Sequence, residues 1–459
     1  MLIRRADVAG RSTDVRIAAG RIEQIGSLRP DPHEDVVDAA GGALLPGFAD
    51  HHLHLLAAAA AAGSVDLTGA DRARATALLR DAAGSGTWVR AVGWSEDCTG
   101  DLDATALDAL SPGSGPLRVQ HRSGALWVLN TRALQELADL DDPAVERDAA
   151  GNPTGRLWRG DHLLRTAGAP PDLAALGRRL AAYGITHLTD ATPDLDPVAL
   201  QLLSSGALSQ RLLLLGAPIG WAGAPRAAAG PYKIVVTDHA LPDPDALATR
   251  IAAVHAADRA VAVHCASRVG LVLTLNALAA AGSRSGDRVE HAAVAGPAEA
   301  AALARLKVRV VTQPSLPVRR GRTYLAGSEE PDRDHLWPYA SLLESGVRVA
   351  CSSDAPYGDP DPWVTIRAAR DRAMDDGTVI GERERVPAAT AFASLLTDPR
   401  DPGRLPRRVT PGAEADLMLL HVPPAEAVRR PSADLVRCTI CAGVTVFGDS
   451  SDPIGSERR

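Results

Sequence analysis

Two histidines spaced two residues apart are the first feature of this 459-residue sequence that could perform chemistry. His52 and His54 belong to the motif Asp50-His51-His52-Leu53-His54. Residues two apart on a β-strand point to the same side, so both imidazoles would face one way. Two such imidazoles provide half of a zinc site, whereas the alternative is a His-rich turn at the surface. The motif indicates a metal site if other ligand types join it.

Three more residues of metal-ligand type end short apolar runs. His264 ends AVAVH, His291 ends DRVEH, and Asp354 ends VRVACSSD. A single histidine in such a place is usually a structural residue. Three such positions, together with the histidine pair, favour one shared metal site.

Lys233 stands out because this chain uses arginine almost everywhere that it needs a positive charge. Lysine and arginine total 49, and Lys233 and Lys307 are the only lysines. Lys233 lies in the apolar run PYKIVVTD, where a buried ammonium would be costly. A primary amine can react with CO2 to form a carbamate that bridges two metals, which a guanidinium cannot do. The alternative is an ion-paired residue at the rim of the site.

The elements that must position these residues are short strands alternating with Ala/Leu/Arg-rich helices. Such alternation predicts a parallel (β/α)8 TIM barrel, whose active site lies at the C-terminal ends of its strands. The eight predicted strands lie within residues 44–54, 184–191, 211–218, 232–238, 260–266, 287–293, 308–314 and 347–354. The Gly- and Pro-rich link 219–231 gives no clear helix.

Two parts of the chain fall outside the predicted barrel of residues 51–404. Residues 1–50 and 405–448 are both strand-rich, so we expect them to form one composite β-sandwich. Residues 88–160 separate the first barrel strand from the second by far more than a usual connection. They therefore predict an inserted subdomain.

Composition limits the possible partners. The net charge of −7 argues against nucleic acid, and no apolar run is long enough to span a membrane. The N-terminal segment lacks the apolar core of a signal peptide, so we expect a cytoplasmic protein with a small-molecule substrate. Five cysteines argue against a disulfide framework. Cys438 and Cys441 have the spacing of half a zinc site, but their strand-like surroundings favour a structural role.

The motifs as a set resemble the amidohydrolase superfamily. The resemblance rests on PGFADHHLH, on the ordered series Lys233, His264, His291 and Asp354, and on GAEADLMLL near the end. VGWSED, GNPTGRL and SSDAPYGDPDP resemble the amidohydrolase-3 group, which includes relatives of N-substituted formamide deformylase.

The resemblance implies a site with two divalent metal ions, with zinc expected. His52, His54 and Asp354 would hold one metal, His264 and His291 the other, and carboxylated Lys233 would bridge them. A water molecule with a lowered pKa would attack a carbonyl group, and Asp354 would act as general acid and base. Glu290 would support a metal ligand from outside the coordination sphere. The resemblance also implies a homodimer.

The substrate is less constrained, because the chain departs from the group's usual residues at Ser123-Gly124, Asp238-His239 and Ser267-Arg268. An arginine in the predicted loop after the seventh strand could bind a substrate carboxylate, although these arginines could also be solvated. The candidate substrate contacts are Trp94, Arg122, His239, Arg319 and Arg322.

Three functions remain in competition at this point. The first is hydrolysis of a C–N bond in an amide or cyclic amide. The second is deamination of an amino-heterocycle on a single metal, which would leave Lys233 unexplained. The third is a barrel that has lost catalysis and acts as a binding module, which the complete set of ligand types disfavours.

Overall fold

The computed structural model describes residues 1–82, 88–113, 115–137, 140–164 and 170–448. The chain forms two compact units. One contains Met1–Ala58 together with Leu173–Arg459, and the other contains Ala59–Asp172. The predicted insertion, 88–160, lies within the second unit.

The two ends of the chain supply two four-stranded sheets of the first unit. In one sheet the strand order is Arg21–Gly26, Arg11–Ala18, Leu2–Val8 and Val36–Asp38. In the other it is Val444–Phe447, Val436–Cys441, Leu417–Leu420 and Leu44–Pro46. Ile3, Ile17, Leu419 and Ile440 belong to one buried apolar cluster, so side chains of both sheets share a core.

Cys438 and Cys441 lie on the buried strand Val436–Cys441. Burial raises the pKa of the Cys438 thiol to about 11 and that of Cys441 to about 12. Both thiols therefore stay protonated at neutral pH, which suits buried structural residues.

Parallel strands form the rest of the first unit's β-structure, and a strand lies in each of the eight predicted segments. One sheet has the order Ala227–Ala229, Arg211–Leu214, Ile185–Asp190 and Phe48–Leu53. The other has the order Tyr232–Val236, Val261–Cys265, Arg288–His291, Arg309–Thr312 and Val349–Cys351. The link 219–231 contains the additional short strand Ala227–Ala229 and no helix.

The parallel strands pair as two sheets and not as one closed barrel sheet. Backbone hydrogen bonds join the sheet edges, from Asp354 N to His52 O at 2.8 Å and from Lys233 N to Leu215 O at 3.0 Å. At one seam Pro231 has no N–H to donate. At the other, Asp354 adopts a left-handed φ of 54°, which ends the extended backbone. These two local features explain why the ladder is interrupted there.

Helices alternate with the parallel strands. Several begin at an Asp-Pro pair, because the Asp side chain caps the helix and proline suits its first turn. Asp196 accepts from Ala199 N, and Asp243 accepts from Ala246 N. The helices of this unit are Leu173–Ala182, Pro197–Leu203, Pro244–Ala256, Arg268–Ala281, Pro297–Leu306, Ser315–Gly327, Glu330–Arg333, Tyr339–Glu344, Pro362–Asp371, Ala388–Leu395 and Pro424–Arg429. Short 3-10 helices are Glu382–Glu384 and Ala433–Leu435.

The second unit is built on a six-stranded mixed sheet. Its strand order is Val145–Arg147, Pro153–Trp158, Leu126–Leu129, Leu117–His121, Val89–Trp94 and Val65–Asp66. Its helices are Arg72–Ala82, Glu96–Thr99, Ala104–Leu110 and Thr131–Gln135, with a 3-10 helix at Asp161–Leu164. Leu55–Ala62 forms a helix across the boundary in sequence between the units. In the described parts of the chain, no helix is both long and apolar enough to cross a membrane.

Three aromatic rings pack together at the start of the strand that carries the histidine motif. Trp363 is fully buried, and its ring meets Phe48 edge-on at 5.1 Å between centroids. Phe392 lies 5.1 Å from Phe48, and Trp363 Nε1 donates to Tyr183 O at 3.1 Å. The cluster therefore anchors the beginning of strand Phe48–Leu53.

Replacing Trp363 with alanine should destabilise the protein by about 3–5 kcal/mol, because the cavity left in such a core refills only partly. Thermal denaturation of the W363A variant should show a clearly lowered Tm. Trp158→Ala is the matched control, since Trp158 is 51% exposed and should change stability little. Equal losses of Tm in both variants would contradict the anchoring role of Trp363.

Candidate metal centre

His52, His54 and Asp354 converge at the ends of two parallel strands. His52 lies on strand Phe48–Leu53, and His54 follows its end. The Nε2 atoms of both histidines lie 3.4 Å from Asp354 Oδ1. One ligand atom from each residue lies within 4.8 Å of the others. Two imidazoles and one carboxylate at this spacing form a donor set that suits a divalent transition metal.

Asp50 holds the two strand ends in this arrangement. Its Oδ1 atom accepts from Ser353 N at 3.1 Å, and its Oδ2 atom accepts from Ser353 Oγ at 2.5 Å. Asp50 is two residues before His52 and is buried, and that burial raises its pKa to about 6. Asp50 therefore couples the position of His52 to that of Asp354.

His264 and His291 lie beside this trio. They end the neighbouring strands Val261–Cys265 and Arg288–His291, whose register pairs Cys265 with His291. The ring centroids of His264 and His291 are 4.5 Å apart, and those of His291 and His52 are 4.9 Å apart. The structure thus brings together all four predicted ligand histidines and Asp354.

Lys233 is buried on strand Tyr232–Val236, with 3% of its surface exposed. Its charge acts on His52, His264 and His291, whose pKa values are lowered by burial first and by Lys233 among the nearby charges. Burial also lowers the pKa of the Lys233 ammonium itself. Lys233 therefore lies within electrostatic reach of the histidine cluster.

Three buried polar atoms in this cluster lack a hydrogen-bond partner among the described residues. They are His52 Nε2, Asp354 Oδ1 and Lys233 Nζ. Native proteins rarely bury unsatisfied polar atoms, because each costs free energy. Divalent metals bound by the imidazoles and the carboxylate would satisfy these atoms, so the residues fit a metal centre.

The protonation states of the cluster also suit metal binding, which needs neutral imidazoles and ionised carboxylates. Burial lowers the pKa of His52 well below its usual value and that of His264 to about 3. Burial alone would raise the pKa of Asp354. The contact with His54, 3.4 Å away, and the nearby imidazoles outweigh burial and lower this pKa below its usual range. His52, His264 and Asp354 therefore offer lone pairs rather than protons at neutral pH.

Glu290 orients His52, the ligand from the first strand, and not its sequence neighbour His291. A carboxylate oxygen of Glu290 contacts His52 Nδ1, which leaves Nε2 to face Asp354. The other oxygen accepts from Arg288 Nε at 2.5 Å. Arg288 Nη2 in turn donates to His51 O at 3.1 Å.

Gln313 and Thr192 orient two other histidine rings in the same way. His291 Nδ1 lies 2.7 Å from Gln313 Oε1, and His54 Nδ1 lies 3.3 Å from Thr192 Oγ1. Such contacts fix the ring and present its other nitrogen to a metal. Sequence reasoning missed Gln313, Thr192 and Asp50. The available signal for Gln313 and Thr192 was their position just after a parallel strand, and Asp50 belongs to the histidine motif itself.

His291 and Asp354 have backbone conformations that non-glycine residues rarely adopt. Their φ angles are 72° and 54°. Such left-handed residues cost free energy, and they persist where the surrounding structure over-determines them. Both lie at predicted ligand positions, which supports a functional constraint on these strand ends.

The residues predicted to contact the substrate do not gather in one place as the predicted metal ligands do. Trp94 and Arg122 belong to the second unit, where Trp94 is buried and donates from Nε1 to Thr99 Oγ1 at 2.7 Å. Arg122 is exposed directly after strand Leu117–His121, and its N–H donates to Trp94 O at 2.7 Å. His239 is exposed in the turn after strand Tyr232–Val236.

Arg319 and Arg322 lie on a helix, and the prediction of a loop for this segment was wrong. Residues Ser315–Gly327 form a helix with a kink at Arg320, and Pro317 falls in its first turn, where its missing N–H costs nothing. Arg322 is exposed and forms an ion pair with Asp376. Arg319 is also exposed.

Comparison with known proteins agrees with this geometry. The model of a family described as "Amidohydrolase family" matches residues 35–447. N-substituted formamide deformylase from Arthrobacter pascens is 26% identical over 498 aligned residues, which cover 92% of this chain and 89% of that enzyme.

Two solved structures of uncharacterized metal-dependent hydrolases are also similar. The protein from Pyrococcus horikoshii has a TM-score of 0.73 at 17% identity and covers 96% of this chain and 98% of its own. The protein from Pyrococcus furiosus has a TM-score of 0.72 at 19% identity, and the alignment covers 92% of this chain and 98% of that protein's chain. These likenesses show a TIM-barrel-like α/β fold.

The family match spans most of the chain and includes all of the residues that converge at the candidate metal centre. The resemblance indicated by the sequence motifs is therefore confirmed. This protein belongs to the amidohydrolase family of metal-dependent hydrolases, in its amidohydrolase-3 group.

Proposed function

We propose that this protein hydrolyses the C–N bond of a small amide or cyclic amide at a centre of two divalent metals, with zinc as the metal. The observation that carries the proposal is the convergence of buried donor atoms from His52, His54 and Asp354 within 4.8 Å. The neighbouring pair of His264 and His291 offers a second set of imidazoles beside the first.

Lys233 would complete the centre as a carbamate. Its Nζ atom is buried without a partner among the described residues, and burial lowers its pKa, which favours the neutral amine. The neutral nitrogen would form a bond to the carbon of CO2 and release one proton. The resulting carboxylate would provide oxygen ligands for the metals that the four histidines and Asp354 would hold.

The bound metals would supply Lewis acidity and lower the pKa of water towards neutrality. Asp354 would then move the proton. Its low pKa keeps the carboxylate ionised at neutral pH, so it can accept a proton from the attacking water. It would return that proton to the nitrogen of the leaving amine as the C–N bond breaks. His54, which lies 3.4 Å from Asp354 Oδ1, would help to keep this carboxylate oriented.

Metal content should distinguish the competing functions. We expect two zinc ions per chain by elemental analysis of the purified protein, and about one or fewer in Lys233→Met. Protein equilibrated with 13C-bicarbonate should show a carbamate signal by NMR that the K233M variant lacks. Lys307→Met is the matched control, because Lys307 is exposed. A single metal with no carbamate would favour the deaminase alternative, and no metal would favour a binding module.

Removing the proposed acid and base should slow the reaction. We expect Asp354→Asn to lower kcat by about 10²–10⁴-fold on an amide that the wild-type protein hydrolyses. A panel of N-formyl, N-acyl and cyclic amides would identify that substrate. Because Asp354 also contacts the metal site, the metal content of D354N must be measured alongside. Full activity of a fully loaded D354N variant would show that Asp354 does not transfer the proton.

Glu290 is a positioning residue in this proposal, since it acts through His52. Glu290→Gln should weaken metal affinity by about 10–100-fold, because the amide cannot hold the His52 ring as the carboxylate does. Competition against a chromogenic chelator measures this affinity. Glu299→Gln is the control, since Glu299 is buried and paired with Arg268 at 3.2 Å outside the centre. Unchanged metal affinity in E290Q would contradict the role of Glu290.

A further inference from the structure

A second cleft, of about 410 Å³, lies in the first unit beside the beginnings of the parallel strands. Arg211, the first residue of its strand, and Pro46, which precedes strand Phe48–Leu53, both line it. The candidate ligand histidines and Asp354 lie at, next to or beyond the ends of their strands, and neither they nor Lys233 line this cleft. The proposed hydrolysis leaves this cleft without a function.

Four arginines line the cleft, and only one of them is neutralised. Arg211 Nε lies 2.5 Å from Asp416 Oδ2 and 3.0 Å from Glu414 Oε2. Three other guanidiniums have no carboxylate within ion-pair distance in the described parts of the chain. These three are Arg400, Arg407 and Arg408. Asp398 also lines the cleft and acts electrostatically on Arg407, so four guanidiniums face three carboxylates and the cleft keeps a net positive charge.

Arg407 is the inner member of this group. Its Nε donates to Leu396 O at 3.2 Å, its Nη1 contacts His187 Nδ1 at 3.0 Å, and its Nη2 donates to Gly47 O. Nη1 also lies 3.5 Å from His187 Nε2, so these bonds fix the guanidinium and leave one N–H of Nη2 without an acceptor among the described residues. Burial lowers the pKa of Arg407 to about 10, which still leaves it charged at neutral pH. A fixed, charged guanidinium with a spare donor can form a charge-assisted hydrogen bond to a carboxylate oxygen.

The remaining wall of the cleft is largely apolar. Leu212, Leu213 and Leu417 line it together with prolines. An inorganic anion makes no favourable contact with these apolar side chains, whereas the apolar part of an organic anion could pack against them. The lining therefore distinguishes between the two kinds of anion.

We propose that this cleft binds a small organic carboxylate, whose head meets Arg407 with Arg400 and Arg408 and whose apolar body lies against the leucines. A cation is a poor occupant, although His187, Glu414 and Asp416 lie close enough together to suggest one. Both carboxylates are already paired with Arg211, and Arg407 Nη1 lies against the His187 ring.

The test uses the full-length protein as purified, with benzoate and hexanoate as probes. Their amides, benzamide and hexanamide, are the neutral controls, and inorganic phosphate is the anion without an apolar body. We expect both carboxylates to raise Tm in a saturable way, at constant ionic strength, while the amides and phosphate have much smaller effects.

The decisive variant is Arg400→Gln with Arg408→Gln, because both side chains are exposed and the double variant should fold. We expect carboxylate affinity to fall by about tenfold or more per guanidinium removed, with basal hydrolysis unchanged. Arg404→Gln is the matched control, since Arg404 is exposed, pairs with Asp401 at 3.2 Å and does not line the cleft.

Carboxylates can also bind metals, so each titration is repeated on chelator-treated protein. A Tm rise that survives chelation and is lost in the double variant supports the cleft. A rise that is equal in the double variant, or that chelation abolishes, overturns the proposal. Equal effects of phosphate and benzoate would show charge screening only, and that result also overturns the proposal.

Discussion

The hydrogen bond from Asp354 N to His52 O is the contact on which the metal centre depends. It joins the ends of the first and last parallel strands, and Asp50 reinforces it by binding Ser353, 303 positions away in sequence. The donor atoms therefore converge only when both strands are in place, and three of the ligands, His52, His54 and Asp354, come from the ends of these two strands.

Burying so many ionisable groups has a cost that neighbouring contacts must offset. Glu290 is fully buried, yet one oxygen faces His52 and the other faces the buried guanidinium of Arg288. A buried ion pair of this kind contributes little net stability. Its value lies in geometry, because Arg288 also binds His51 O and so ties the Glu290 carboxylate to the strand that carries His52. The contacts that neutralise the Glu290 carboxylate therefore also orient the His52 ring.

The ligand types and their spacing were predictable from the sequence, because strand periodicity and position at the end of an apolar run are local properties. The supporting contacts were not, because they join residues far apart in the chain. Gln313 and His291 are 22 positions apart, and nothing in either segment alone indicates that they pair. The helix Ser315–Gly327 was also missed, although Pro317 lies in its first turn, where a proline permits a helix. The break of the parallel strands into two sheets also escaped prediction, because it depends on the conformation of single residues at the seams.

The unequal use of arginine and lysine follows from what each side chain does when it is buried. Arg372 is almost fully buried and donates to the carbonyls of Ile380, Trp337 and Leu336 at 2.6–3.0 Å. Burial lowers the pKa of Arg372 only to about 10, so it remains a cation that holds the loop in which Trp337 packs 6.2 Å from the His291 ring. A lysine in that place would lose its charge more readily and could not bind three carbonyls in a plane.

At position 233 the proposed chemistry needs the opposite property, a side chain that can lose its charge. A guanidinium stays protonated and has no free lone pair, whereas a buried amine can give up its proton and become a nucleophile. The chain keeps a lysine at the buried position where a loss of charge would be useful, and uses arginine where the charge must persist.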